Sequence, residues 1–328
     1  MFVDSHCHLS FPELSGRIAE VRAAMAAAQV DRAICICTTL EEFDAVHALA
    51  TAHDNFWCTV GVHPDNEGVT EPGVQDLVER SARPKVVAIG ETGLDYYRLS
   101  GRTEADMAWQ RERFRVHVRA ARATGLPLVV HTRSASADTL AILREEGAGA
   151  VRGVFHCFTE TAQVARAALE LGFHISFSGI LTFRNAQDLR DVAREVPLDR
   201  CLIETDSPSL APVPFRGKLN QPAYVAQVAA ALAELKGMPL EALARATSTN
   251  AAALFGLPEK ADETLEIHTP TGCRNWSYLR SCRSEGGSVP GHRDRRRAPR
   301  AVGAGDRAGP QRPRRTRSGA ARAGAQVE

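Results

Sequence analysis

Eight short apolar runs rich in β-branched residues, separated by Ala-rich stretches of helical period, restrict the fold of this 328-residue chain more than any other feature. The runs cover residues 2–9, 32–39, 56–63, 85–94, 127–132, 153–159, 174–180 and 201–207. Their apolar character is continuous rather than alternating, which suits strands buried on both faces of a parallel sheet. Between them, Ile18, Val21 and Met25 recur at i, i+3 and i+7, and Val225, Val228, Leu232 and Leu235 form a second such stripe. Met107, Phe114, Val118 and Ala121 line one face of a helix expected over about 104–123. The run N-A-A-A-L-F at 250–255 predicts a last helix, with Ser248 or Thr249 as its cap. Strand–helix alternation repeated eight times means a closed barrel or a large doubly wound sheet. Residues 1–258 supply the roughly 250 that a (β/α)₈ TIM barrel needs, and that α/β fold is the expectation.

The net charge of +1 conceals an asymmetry. From Arg274 to Glu328 there are fourteen arginines against four acidic residues, a local balance of +10, so the first 273 residues carry −9. A body coated in positive charge for nucleic acid is therefore excluded, and any nucleic acid has to be engaged locally. Residues 259–328 form a low-complexity tail; its Arg/Gly/Ala/Pro-rich part, 293–327, lacks apolar periodicity and predicts disorder. The tail reads as a non-functional extension, or else as a basic arm adding sequence-independent phosphate attraction. Eight cysteines (Cys7, Cys35, Cys37, Cys58, Cys157, Cys201, Cys273, Cys282) include no C-x-x-C pair, and six lie in strand-like runs. Free thiols in a reducing compartment are expected. The N-terminal stretch lacks a cationic leader and no apolar run approaches ~20 residues, so a cytoplasmic protein without membrane insertion is the expectation.

Ionisable residues gather at the ends of the runs. His6 and His8 close the first, and residues i and i+2 of a strand share a side. Glu91 follows V-V-A-I-G in the fourth; alone it would read as a cap or a loop ion pair, because a buried carboxylate is costly without a partner. Asp95, four residues on, reads as an anchor for the loop. His131 ends the fifth run and His156 lies in the sixth; each alone would read as a satisfied core or loop histidine. Asp206 ends the eighth, with Pro208 enforcing a turn, and Glu204 two residues earlier is expected to support the site from behind. His63, in G-V-H-P at the end of the third run, faces the same mouth and is expected to touch substrate. His47, His53 and His117 fall on predicted helices and are expected to be solvated; His174 starts a strand, at the wrong end. A barrel gathers its strand ends around one mouth, so four histidines and two carboxylates converge there. So many buried ionisable groups are hard to reconcile with desolvation unless a metal is held. Mixed imidazole and carboxylate ligands suit Zn²⁺ or Mn²⁺, with Mg²⁺ less fond of imidazole. Six ligands exceed one tetrahedral ion and favour two divalent ions (Mg, Mn or Zn) sharing a carboxylate.

Through residue 257 the chain resembles the TatD-type metal-dependent deoxyribonucleases of the amidohydrolase superfamily. The motifs that carry the resemblance are D-S-H-C-H-L (4–9), G-V-H-P (61–64), G-E-T-G-L-D-Y-Y (90–97), H-T-R (131–133) and F-H-C-F (155–158). They continue as E-T-D-S-P (204–208), R-G-K-x-N-x-P (216–222) and the closing N-A-A-x-L-F. The resemblance implies metal ligation by His6, His8, Glu91, His131, His156 and Asp206. Leu219 stands where the family often has a basic residue, which bears on substrate affinity. The implied chemistry is two-metal hydrolysis of a phosphodiester, with DNA as substrate. In it His6 and His8 serve one ion, His131 and His156 the other, Glu91 bridges, and Asp206 serves the first ion and handles the attacking water. Arg133, Arg216 and Lys218 are the expected phosphate contacts; Tyr97 and Arg98 read as easily as loop residues. Three alternatives stand beside this reading: a metal-holding pseudo-enzyme, an amidohydrolase acting on an ester or amide such as D-aminoacyl-tRNA, and a nucleic-acid-binding module led by the basic tail. Many amidohydrolases bridge their metals with a modified lysine; Glu91 in that place favours the nuclease. A monomer is expected.

Overall fold

The computed structural model describes residues 1–258; the 259–328 tail, with Cys273 and Cys282, lies outside the described residues. The strands are β1 (Phe2–Cys7), β2 (Val30–Cys35), β3 (Phe56–Val60), β4 (Val86–Asp95), β5 (Leu128–Arg133), β6 (Gly153–Phe155), β7 (His174–Phe177) and β8 (Cys201–Ile203). They pair in parallel in that order, with helices between. A parallel bridge between Cys7 and Ser207 brings the chain after β8 back to β1. Ser5 Oγ adds a bond to the Ile203 carbonyl at 2.9 Å, and the Asp206 N–H another to the His6 carbonyl at 2.9 Å. The result is the expected TIM barrel.

Period-2 alternation sorts the strand residues into two cores. Val3, Ile34, Ile36, Trp57, Val87, Val129, Val154 and Leu202 pack together in the barrel, where Ala251, Leu254 and Phe255 of the last helix join them. Their neighbours Phe2, Ala33, Cys35, Cys58, Val130, Phe155 and Ile203 pack outward under the helices. Six free cysteines are described, five buried and Cys157 partly so, with no disulfide among the described residues. No helix among them is long and apolar enough to cross a membrane.

Several local expectations are corrected. The last helix runs Leu240–Phe255, so Ser248 and Thr249 lie inside it and Pro239 holds the N-cap position. Its Ala- and Leu-rich first half has the propensity to continue the helix upstream. The stretch at 104–107 is a 3₁₀ turn, and the α-helix proper spans Ala108–Thr124 before left-handed Gly125. β4 continues past Glu91 to Asp95, paired with β5 beyond an irregularity after Ile89. β6 and β8 stop short, leaving His156 and Asp206 on the segments just past them.

His47 and His117 are buried, not solvated. His47 Nε2 donates to the Pro84 carbonyl at 2.9 Å. His117 Nδ1 donates to the Arg113 carbonyl at 2.8 Å, and its Nε2 accepts the Val62 N–H at 2.9 Å, fastening the helix to the residue before His63. Burial pushes the His117 imidazole down to about 4 from an ordinary 6.5. Above pH 6.5 the ring is neutral whether folded or not, and it contributes nothing to pH dependence. Between 6.5 and about 4 the unfolded chain takes up a proton that the folded chain refuses, so stability falls as pH falls. The loss approaches about 3 kcal/mol at the acid end. A melting-temperature series from pH 7 to 4.5 should therefore show an acid-side decline that flattens in His117→Gln. An equal slope in both proteins would contradict this.

Candidate metal centre

The site is assembled around Glu91, a carboxylate 2% exposed inside β4. Its neighbour Gly90 touches Gly61 at the end of β3: a Cβ on Gly61 would come within 2.6 Å of the Gly90 Cα. Only two bare backbones fit there, and their approach is what brings the G-V-H-P loop against Glu91.

The two oxygens of Glu91 face different groups. His6 Nε2 lies 3.2 Å and His8 Nε2 3.7 Å from Oε2; the same two nitrogens lie 3.5 and 3.3 Å from Asp206 Oδ1. Oε1 faces His156 Nε2 at 2.8 Å, His63 Nε2 at 3.2 Å and His131 Nδ1 at 3.4 Å. The rings of His6 and His156 stack at 3.8 Å between the two halves. Asp206 itself holds a left-handed backbone, φ 54°, which an Asp tolerates better than most residues.

Two further carboxylates fix ring orientation. A carboxylate can only accept, so His131 Nε2–H donates to Asp95 Oδ2 at 3.0 Å and His156 Nδ1–H donates to Glu204 Oε1 at 3.2 Å. In the neutral state that metal ligation requires, each ring turns a lone pair toward Glu91 Oε1. Lone pairs converging on a carboxylate oxygen repel unless a cation lies among them, and His156 Nε2 and Glu91 Oε2 are both buried without a hydrogen-bond partner. The donor set fits divalent metal: three groups of three potential ligand atoms (His6, His8, Glu91; His6, His156, Asp206; His63, Glu91, His131) each lie within 4.8 Å of one another.

The electrostatics match this crowding. Burial alone would raise the Glu91 carboxyl, but His156, His63 and His6 around it hold it well below the usual range. Burial likewise opposes the charged form of His156, yet with no cation between them Glu91 and Glu204 on either side keep its pKa well above the ordinary histidine value, the proton standing where a metal would. For His131 the same contest is won by Asp95 and Glu91. His6, buried and next to His156, is lowered.

The six residues expected as ligands thus lie together, and Glu204 lies behind His156. His63 is drawn into the cluster itself. Arg133, Arg216 and Lys218 stand apart, exposed around the mouth, and none of them ion-pairs among the described residues. The Arg133 guanidinium stacks 3.7 Å over the Tyr97 ring and that of Arg216 3.7 Å over Phe183. Two contributors escaped the sequence reading. Asp95 does anchor its loop, accepting the Tyr97 N–H at 2.8 Å, but it also holds His131. Asp4 is fully buried and accepts from the Thr205 N–H at 2.9 Å and hydroxyl at 2.6 Å, tying β1 to the segment that carries Asp206. The D-x-H spacing at 4–6 was the available signal. Outer carboxylates of this kind affect metal affinity by about 10–100-fold. Asp95→Asn and Glu204→Gln should each weaken Mn²⁺ or Zn²⁺ binding by that order in a chelator-competition titration; wild-type affinity in both would show that the backing charge is irrelevant.

A family model described as TatD related DNase matches residues 3–256. The uncharacterized metal-dependent hydrolase YcfH of Escherichia coli is 50% identical over 257 residues, covering 77% of this chain and 95% of that protein. YabD of Bacillus subtilis, described in the same words, is 41% identical over 256 residues, covering 78% of this chain and 99% of its own. Among solved structures, YjjV, a TatD homolog from Escherichia coli, superposes with a TM-score of 0.72 at 30% identity, covering 78% of this chain and 98% of that one. The chain belongs to the TatD family, and it is a metal-dependent hydrolase.

Proposed function

We propose that this hydrolase is a deoxyribonuclease that cleaves phosphodiester bonds from the ends of DNA, using two divalent ions that share Glu91. The observation that carries the reading is the division of the expected ligands between the two oxygens of one carboxylate, His156 and His131 on Oε1 and the His6–His8–Asp206 group beside Oε2. His6, His8 and Asp206 would hold one divalent ion and His131 and His156 a second, with Glu91 between the two sets. When bound, such ions neutralise charge on the phosphoryl oxygens and bring the pKa of a water toward about 7.

The chain's own residues do the rest. Asp206 is the carboxylate of the cluster most open to the mouth, with 19% of its side chain exposed against 2% for Glu91, which suits it to orient water and accept its proton. Glu91 stays at the centre. Arg133, Arg216 and Lys218, unpaired on the rim, offer charge to flanking phosphates, and the stacked rings of Tyr97 and Phe183 hold two of the guanidinium groups in place. Every ligand side chain is at most 19% exposed, so a strand end reaches the site more readily than the middle of a duplex; single strands and duplex ends are the proposed substrates. One chain supplies every residue invoked, and a monomer suffices.

Labelled single-stranded DNA should be shortened stepwise with Mn²⁺ or Mg²⁺ and left intact with EDTA. Asp206→Asn should lower turnover by about 10²–10⁴-fold, the range for loss of a positioned base. Arg216→Ala should raise KM several-fold with kcat little changed, and an unchanged KM would remove Arg216 from the substrate path. A folded, metal-loaded protein that leaves DNA intact would contradict the nuclease reading and direct attention to esters such as aminoacyl-tRNA.

A further inference from the structure

The imidazoles around Glu91 Oε1 do not present the same face to it. His131 and His156 each give their far N–H to a carboxylate, so in the neutral ring that ligation requires the nitrogen turned to the site carries a lone pair. His63 is wired in the opposite sense. Its Nδ1 accepts the backbone N–H of Asp65 at 3.0 Å, and a neutral ring that accepts at Nδ1 carries its hydrogen on Nε2. That Nε2–H is the atom 3.2 Å from Glu91 Oε1. An N–H cannot coordinate a cation, so His63 is poorly suited to ligation although its distances alone would place it with Glu91 and His131.

The His63 backbone is held from several sides. Its N–H bonds the Thr38 carbonyl at 2.9 Å, its carbonyl accepts from Arg113 Nη1 at 2.8 Å, and Val62 before it is fixed by His117. The side chain is 17% exposed, open to the mouth, whereas Glu91 beneath it is closed off. A rigid donor aimed at a partly open position over the metal ligands is the arrangement that stabilises charge developing on a reacting oxygen.

We infer that His63, through Nε2–H, is a fixed hydrogen-bond donor to a phosphoryl oxygen of the substrate in the transition state, and a ligand of neither ion. The inference rests on the phosphodiester reading above. No proton changes owner in this role; the bond to Glu91 Oε1 is exchanged for one to the substrate as charge grows there.

The test compares wild type, His63→Ala and His63→Gln, whose side-chain amide retains an N–H donor. Each is assayed on bis(p-nitrophenyl) phosphate and a labelled oligonucleotide, with Mn²⁺ stoichiometry measured by equilibrium dialysis. The expected result is kcat lowered about 10²–10³-fold in the alanine variant with KM and bound Mn²⁺ unchanged, and partial recovery in the glutamine variant. His63→Leu gives the same comparison should alanine unsettle the loop. Loss of a bound ion in the alanine or leucine variant would make His63 a ligand or a prop for Glu91, and an unchanged kcat would remove it from the chemistry; either overturns the inference. Wild-type protein that binds Mn²⁺ but cleaves neither phosphodiester would instead overturn the nuclease reading, and this inference with it.

Discussion

A carboxylate shut away from water inside a β-strand, with nitrogens of five imidazoles between 2.8 and 3.7 Å from its two oxygens, sets the terms for the rest of this molecule. Burying Glu91 alone would cost several kcal/mol or force it to take a proton. The cost is offset because four segments, ending in or near β1, β3, β5 and β6, bring imidazoles to one point. A parallel barrel makes this possible, since its strand ends are neighbours in space though up to 200 residues apart in sequence.

Two packed cores lie beneath the site. One core fills the barrel and is joined by Ala251, Leu254 and Phe255 of the last helix; the other lies between barrel and helices. Polar ties connect these cores to the site: His117 to Val62 below His63, Asp4 to Thr205 beside Asp206, Asp95 to His131, and Glu204 to His156. Each acts on a ligand or donor through a hydrogen bond of fixed direction. The histidines consequently differ in role although they share a residue type: two are lone-pair bearers backed by carboxylates, one is a donor, and His117 is a structural link.

That differentiation explains what could be read from the chain before folding. The six converging residues were legible because they sit in or at the ends of five apolar runs, His6 and His8 sharing the first, and a barrel turns run ends into one mouth. Tautomers were not, because they depend on partners such as the Asp65 N–H or the Glu204 carboxylate, whose meeting with a ring is a tertiary event. Asp95 was read as a loop anchor for the same reason; its second contact, to His131, crosses from β4 to β5. The burial of His117 was within reach. It stands with Phe114, Val118 and Ala121 at i, i+3, i+4 and i+7, and His47 stands likewise with Phe43, Val46 and Ala50, so both lie on apolar faces that outweigh the polarity of the ring.

The central claim, that Glu91 joins two metal positions rather than lining one, is tested most directly by anomalous scattering from crystals grown with Mn²⁺. Two peaks about 3.5–4 Å apart are predicted, one beside Oε2 with His6, His8 and Asp206, the other beside Oε1 with His131 and His156. A single peak at saturating Mn²⁺, or one to which His63 contributes its Nε2, would contradict the account.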